Sequence, residues 1–174
     1  MAEIWENNYL ALLAEVIGAK ADDYGIREVL LSEEEECSVL TLIPDLPEEE
    51  YPGVEFRFTI EHILEGTAQL QIMVSMYNGV PAEKLPEAEK VIARINEFLI
   101  LGHAAIFYAG GLIFYSHAFC IDRDMRIDTA TTAVGHTLAV LVHTVPQVME
   151  ILSPVVNGSE SAETVISRGI DLIQ

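Results

Sequence analysis

Hydrophobic and polar side chains alternate most cleanly in "VEFRFTIEHIL", residues 54–64. There Val54, Phe56, Phe58 and Ile60 are separated by Glu55, Arg57, Thr59 and Glu61. A period of two with this contrast predicts a strand with one face on a core and the other in water. "AQLQIMVSMY" repeats the pattern with Leu70, Ile72, Val74 and Met76 inward, and Glu65-Gly66 between the runs predicts a tight hairpin. Upstream, "IREVLL" and "CSVLTLI" read as two shorter strands. Between them, residues 32–36 include Glu33, Glu34, Glu35 and Glu36, four adjacent like charges that predict a solvated turn.

Other stretches carry helical spacing. Ile4, Trp5, Tyr9, Leu12, Leu13 and Val16 predict an N-terminal helix within residues 1–21, ended by Gly18 and the cluster Asp22-Asp23-Tyr24-Gly25. A second helix starts near Pro86, with Glu87 and Glu89 suited to its positive end. Its stripe is Val91, Ile92, Ile95, Phe98 and Leu99, and Gly102 is its expected stop. Residues 98–121 then form a run of 24 without Asp, Glu, Lys or Arg. Its first residues finish the helix. The rest, rich in aromatic and β-branched side chains, is split by Gly110-Gly111, which predicts a hairpin with a two-residue turn. Tyr108 then pairs with Ile113, Ile106 with Tyr115, and Ala104 with His117. The opposite face carries Phe107, Ala109, Phe114, Ser116 and Cys120. Helices cover one such face, so a second apolar face predicts association with a partner or a second copy. Residues 129–149, again uncharged, read as a helix capped by Asp128. Its inner stripe is Val134, Leu138, Leu141, Val145 and Val148, and Pro146 is expected to kink or end it.

The order of elements predicts an α+β fold, an antiparallel sheet of about six strands (4+2) flanked by helices. Residues 1–174 are expected to form a single domain: N-terminal helix 1–21, sheet and helices 26–152, and C-terminal helix 160–173.

Charge narrows the function. The chain holds 9 basic and 28 acidic side chains, net −19, while 51% hydrophobic residues exclude a disordered chain. Nucleic acid is excluded as a partner because its binding needs clustered Lys and Arg, and anionic membrane surfaces are disfavoured likewise. Basic or amphipathic protein segments are attracted. Cys37 and Cys120 form no CxxC and no disulfide framework, and the N-terminus lacks a basic region before its apolar stretch, so a cytoplasmic protein is expected.

Candidate chemistry adds little. His136 and His143 share a helix face but stand two turns, about 10.5 Å, apart, too far to hold one metal. His103 and His117 with Cys37 and Cys120 have no ligand spacing, and a small buried thiol is the commoner role of a lone cysteine. Asp122, Asp124 and Asp128 lack the sixth-position glycine of a calcium loop, Ile127 standing there instead. GxSxG, GxxxxGK[ST] and GxGxxG are all missing. No catalytic residue, cofactor or metal is expected. The leading reading is a non-enzymatic interaction or chaperone-like module with Tyr108, Ile113, Tyr115 and Phe119 as contact residues, partnered by another protein or by itself as a homodimer. The alternative is a small-ligand binder or enzyme with a cavity between sheet and long helix, near His117, Asp122 and His136. A membrane hairpin from 98–121 and 129–149 ranks last, since glycines, histidines and threonines interrupt both runs.

The helix "EAEKVIARINEFLILG" running into "AAIFYAGGLIFYSHAF" resembles the YbjN family, whose domain shares the fold of type III secretion chaperones. The resemblance covers about residues 20–155, and Asn96 is the position matched by residue type. It implies a small acidic dimeric α+β module that binds protein segments, with no catalytic residues to carry over.

Overall fold

The alternating runs form the strands they predict. A computed structural model of the chain describes residues 4–34 and 37–170. Glu35 and Glu36 of the acidic turn, and the outermost residues of both expected terminal helices, lie outside the described residues. The elements are α1 (Ile4–Gly18), β1 (Ile26–Glu33), β2 (Ser38–Pro44), β3 (Phe56–Leu64), β4 (Thr67–Tyr77), α2 (Leu85–Asn96), β5 (His103–Phe107), β6 (Leu112–Asp122), α3 (Ile127–Val156) and α4 (Ala162–Ser167). The six strands form one open antiparallel sheet in the order β1-β2-β3-β4-β6-β5. The fold is therefore α+β with the expected 4+2 strands, and β6 rather than β5 joins the hairpin to the meander.

The residues group by their internal contacts into two units. One contains the chain up to Val74 with His117–Ala139; the other contains Ser75–Ser116 with the chain from Val140 onward. A single domain over 1–174 was the expectation. In the first unit, β4 and β3 bury Leu70, Ile72, Phe56 and Phe58, and β2 buries Leu40 and Leu42. Helix α1 packs on β1, β2 and β3. Its buried stripe is Tyr9, Leu10, Leu13 and Ile17, whereas Leu12 points outward. A helix apolar nearly all round does not reveal by period which side faces the core.

In the second unit α2 packs on β5 and α4 and buries Leu85, Ala88, Val91, Ile92 and Ile95. Three expectations are corrected there. First, α2 ends at Asn96, so Phe98 and Leu99 do not continue its stripe. Second, the β5–β6 register is two residues off: Ala104 pairs with Tyr115, Ile106 with Ile113 and Phe107 with Leu112. Tyr108–Gly110 forms a 3-10 turn and Gly111 takes φ +60°, so the loop has four residues and Tyr108 belongs to it. A shift of two keeps each side chain on its face, which is why alternation alone could not separate the registers. Third, α4 is short, begun by Ser161, which accepts from the Thr164 N–H at 3.2 Å.

Helix α3 starts at Ile127, placing Asp128 in its first turn rather than at its cap, and runs unbroken through Pro146 and Pro154. Each proline removes one backbone bond. The buried stripe Val134, Leu138, Leu141, Val145, Val148 and Leu152 holds the turns on either side, so packing outweighs that loss. Among the described residues it is the one helix long and apolar enough to cross a bilayer. Its other face exposes Thr132, His136, His143 and Glu150.

One buried phenol, Tyr115, and one half-buried phenol, Tyr77, give this core a pH signature. Tyr115 is 1% exposed and donates to the Leu101 carbonyl; Tyr77 donates to the Met149 carbonyl at 2.6 Å. Burial pushes both up to about 12 from 10.0. A phenol whose folded value is raised contributes stability that is fully present below the unfolded value and lost as pH climbs through the folded one. Stability is therefore expected to fall between about pH 10 and 12, with Tyr115 alone responsible for roughly 2 kcal/mol. Urea unfolding across that range checks it, and Tyr115→Phe should flatten the fall.

Candidate interaction surface at the sheet edges

A sheet of this order has two outer strands, β1 and β5, and the residues beside them treat the two edges differently. In an antiparallel ladder, N–H and C=O groups of alternate residues face the neighbouring strand and those of the others face away. The Glu34 N–H donates to the Cys37 carbonyl at 2.9 Å. In the register Glu33↔Ser38, Leu31↔Leu40 and Val29↔Leu42, that bond makes Glu28, Leu30 and Ser32 the residues bonded to β2. The backbone groups of Val29, Leu31 and Glu33 therefore point away from the sheet.

Side chains along this edge are apolar in the centre and acidic at the ends. Leu31 lies on the core face opposite buried Leu40, yet is 46% exposed; Leu30, on the other face, is 43% exposed. Glu28, Glu33 and Glu34 are exposed around them. Arg57 pairs with Glu34 at 2.5 Å and Arg27 with Glu48 at 3.6 Å, so both local cations are engaged. The unit carrying β1 holds 5 basic and 20 acidic side chains, net −15.

The β5 edge is short and partly closed. The Ala104 N–H donates to Asn96 Oδ1 at 2.9 Å, and Asn96 Nδ2 donates to the Ala104 carbonyl at 3.0 Å. The carboxamide thus takes the place of a neighbouring strand at this residue, one way in which sheet edges are blunted. Asn96→Ala is expected to cost about 1–2 kcal/mol, two neutral hydrogen bonds. It should also cause concentration-dependent association, read by light scattering. An unchanged scattering signal and unchanged stability together would deny the carboxamide this role.

The contact residues expected from sequence do not form one surface. Ile113 (0% exposed) and Tyr115 (1%) belong to the core, because the register places them opposite Ile106 and Ala104 on the covered face. Neither offers surface to a partner, and this corrects the expectation. Tyr108, 47% exposed, donates to Glu89 Oε2 at 2.7 Å, a bond that raises its phenol. Phe119 is half-buried with its ring 5.9 Å from that of His117. The second hairpin face is uneven: Phe107 is 57% exposed, Phe114 half-buried and Ser116 buried.

The residues named for a ligand cavity do not converge on one. Asp122 accepts from the Thr67 hydroxyl at 2.8 Å, and His136 lies on the exposed face of α3. A cleft of about 490 Å³ lies elsewhere, lined by Glu87, Lys90, Ser161, Glu163, Ile166 and Ser167. Glu87 there already accepts from Lys90 and from the Ala162 N–H. Among the described residues no group of three His, Cys, Asp or Glu could hold a metal ion.

Sequence reasoning missed Leu30 and Leu31. The signal was present as "VLL" at 29–31, since three successive apolar residues in a strand must put one on each face.

No protein-family model and no curated protein matches the chain. It is similar to the crystal structure of YbjN from E. coli at 16% identity and a TM-score of 0.37, covering 74% of this chain and 87% of that one. A likeness this distant establishes neither family nor function.

Proposed function

We propose that the chain is a non-enzymatic protein-interaction module that takes up an extended segment of a partner protein along the β1 edge. One observation carries the reading: the outward backbone of Val29, Leu31 and Glu33 is flanked by exposed leucines on both faces of the strand. An extended segment added there gains main-chain hydrogen bonds, while its side chains cover Leu31 on one face and Leu30 on the other. Long outer strands of this kind are normally shortened, twisted or charged along their apolar positions. β1 has eight residues; it carries a register irregularity between Ile26 and Glu28 and carboxylates towards its ends, but its centre keeps both leucines.

The test is a display selection of random peptides on the intact protein, followed by affinity measurement on variants. Leu31→Pro removes one outward N–H without touching a bond to β2, and should weaken selected peptides at least tenfold, about 1.4 kcal/mol. Ile100→Asp, at the most exposed large apolar side chain among the described residues, should leave them unchanged. Peptides that depend on Ile100 and ignore Leu31 would contradict the reading.

A further inference from the structure

We infer that the segment taken up at β1 has an apolar centre and basic residues at both ends. The inference rests on the reading above and names the chemistry of its partner. It follows from how charge is arranged along the edge rather than from the net charge alone. Glu33 lies on the core face with Leu31, and Glu28 lies on the outer face with Leu30. Each face therefore offers one exposed leucine and one exposed carboxylate, and the carboxylates mark opposite ends of the strand. Glu34 extends the acidic end, and Glu48, Glu49 and Glu50 are exposed in the loop that approaches the other end through the Arg27–Glu48 pair.

A strand laid on this edge places its central side chains beside the leucines and its terminal ones beside carboxylates. Apolar central residues remove the leucines from water. Terminal Lys or Arg find opposite charge at surface positions, where attraction steers encounter and selects among partners more than it adds affinity. A segment with acidic ends meets repulsion at both ends. An antiparallel pair of two β1 strands that sets Leu31 against Leu31 would bring Glu28 of each copy against Glu34 of the other, so the same charges disfavour self-pairing in that register.

Three synthetic peptides with one Val-Ile-Val centre and ends of Lys, Gln or Glu, titrated into the intact protein by fluorescence anisotropy, test the inference. The Lys-ended peptide should bind severalfold more tightly than the Gln-ended one at low salt. The gap should narrow as salt rises, since exposed charges are screened, and the Glu-ended peptide should bind weakest. Glu28→Lys combined with Glu33→Lys, both exposed and so safe for folding, should reverse the order. Equal binding of Lys- and Gln-ended peptides, both weakened by Leu31→Pro, would overturn the basic partner while leaving the edge intact. Binding of all three indifferent to Leu31→Pro and to the double charge reversal would overturn the edge and the inference together.

Discussion

Replacing Gly111 by valine should lower the stability of the folded chain by at least about 3 kcal/mol, among the larger effects of a single substitution. Gly111 sits at φ +60°, where a residue with a Cβ loses about 1–2 kcal/mol and a β-branched one more. A Cβ there would stand 2.5 Å from the Val80 carbonyl oxygen and 2.9 Å from the Val80 nitrogen. Both are backbone atoms, so no side chain can swing aside. The Val80 N–H donates to the Gly111 carbonyl at 2.9 Å, and a displaced loop sacrifices that bond too, about 1 kcal/mol. Gly110 is the control. Its φ is not positive and a Cβ would meet only the Phe107 ring, at 3.2 Å. Gly110→Ala should therefore cost much less. Urea denaturation of both variants reads the difference, and equal losses would show that the loop geometry is wrong.

Tyr115→Ala should cost about 3–5 kcal/mol, the range for truncating a large buried aromatic side chain. Tyr115 is 1% exposed, sits opposite Ala104 across the hairpin, and gives its hydroxyl proton to the Leu101 carbonyl. Truncation removes the ring and leaves that carbonyl without its donor. Tyr115→Phe keeps the packing and should cost about 1 kcal/mol. Thermal and urea unfolding distinguish this from a surface role. A contact residue would leave stability within about 0.5 kcal/mol of the parent and change only association.

The strands were legible because burial and period coincide. β3 and β4 are covered on one face, and their polar positions stay outside, so alternation in the chain is alternation in space. The hairpin at Gly110-Gly111 was legible as a reversal but not in register. Two-residue and four-residue loops differ by two positions, and a shift of two preserves every face. The end of α2 was hidden because it depends on a contact eight residues away: Asn96 bonds to Ala104, and no local propensity announces that. The continuity of α3 was hidden for a similar reason. Proline argues locally for a break, and the buried stripe on both sides decides otherwise.

The candidate surface was the least legible part. The apolar run 98–121 drew attention because it is conspicuous, yet Ile113 and Tyr115 within it are core, as conspicuous apolar residues in a covered hairpin should be. Leu30 and Leu31 were ordinary strand residues until the sheet order made β1 an outer strand. Strand order depends on long-range pairing, β6 with β4 above all, and the chain's local pattern does not encode it.

Amide hydrogen exchange, residue by residue along β1 with and without a selected peptide, addresses the edge most directly. Uptake of a strand should slow exchange at Val29, Leu31 and Glu33, whose N–H groups face outward, and leave Glu28, Leu30 and Ser32, already bonded to β2, nearly unchanged. Protection spread evenly over all six amides, or confined to another element, would contradict a partner strand on this edge.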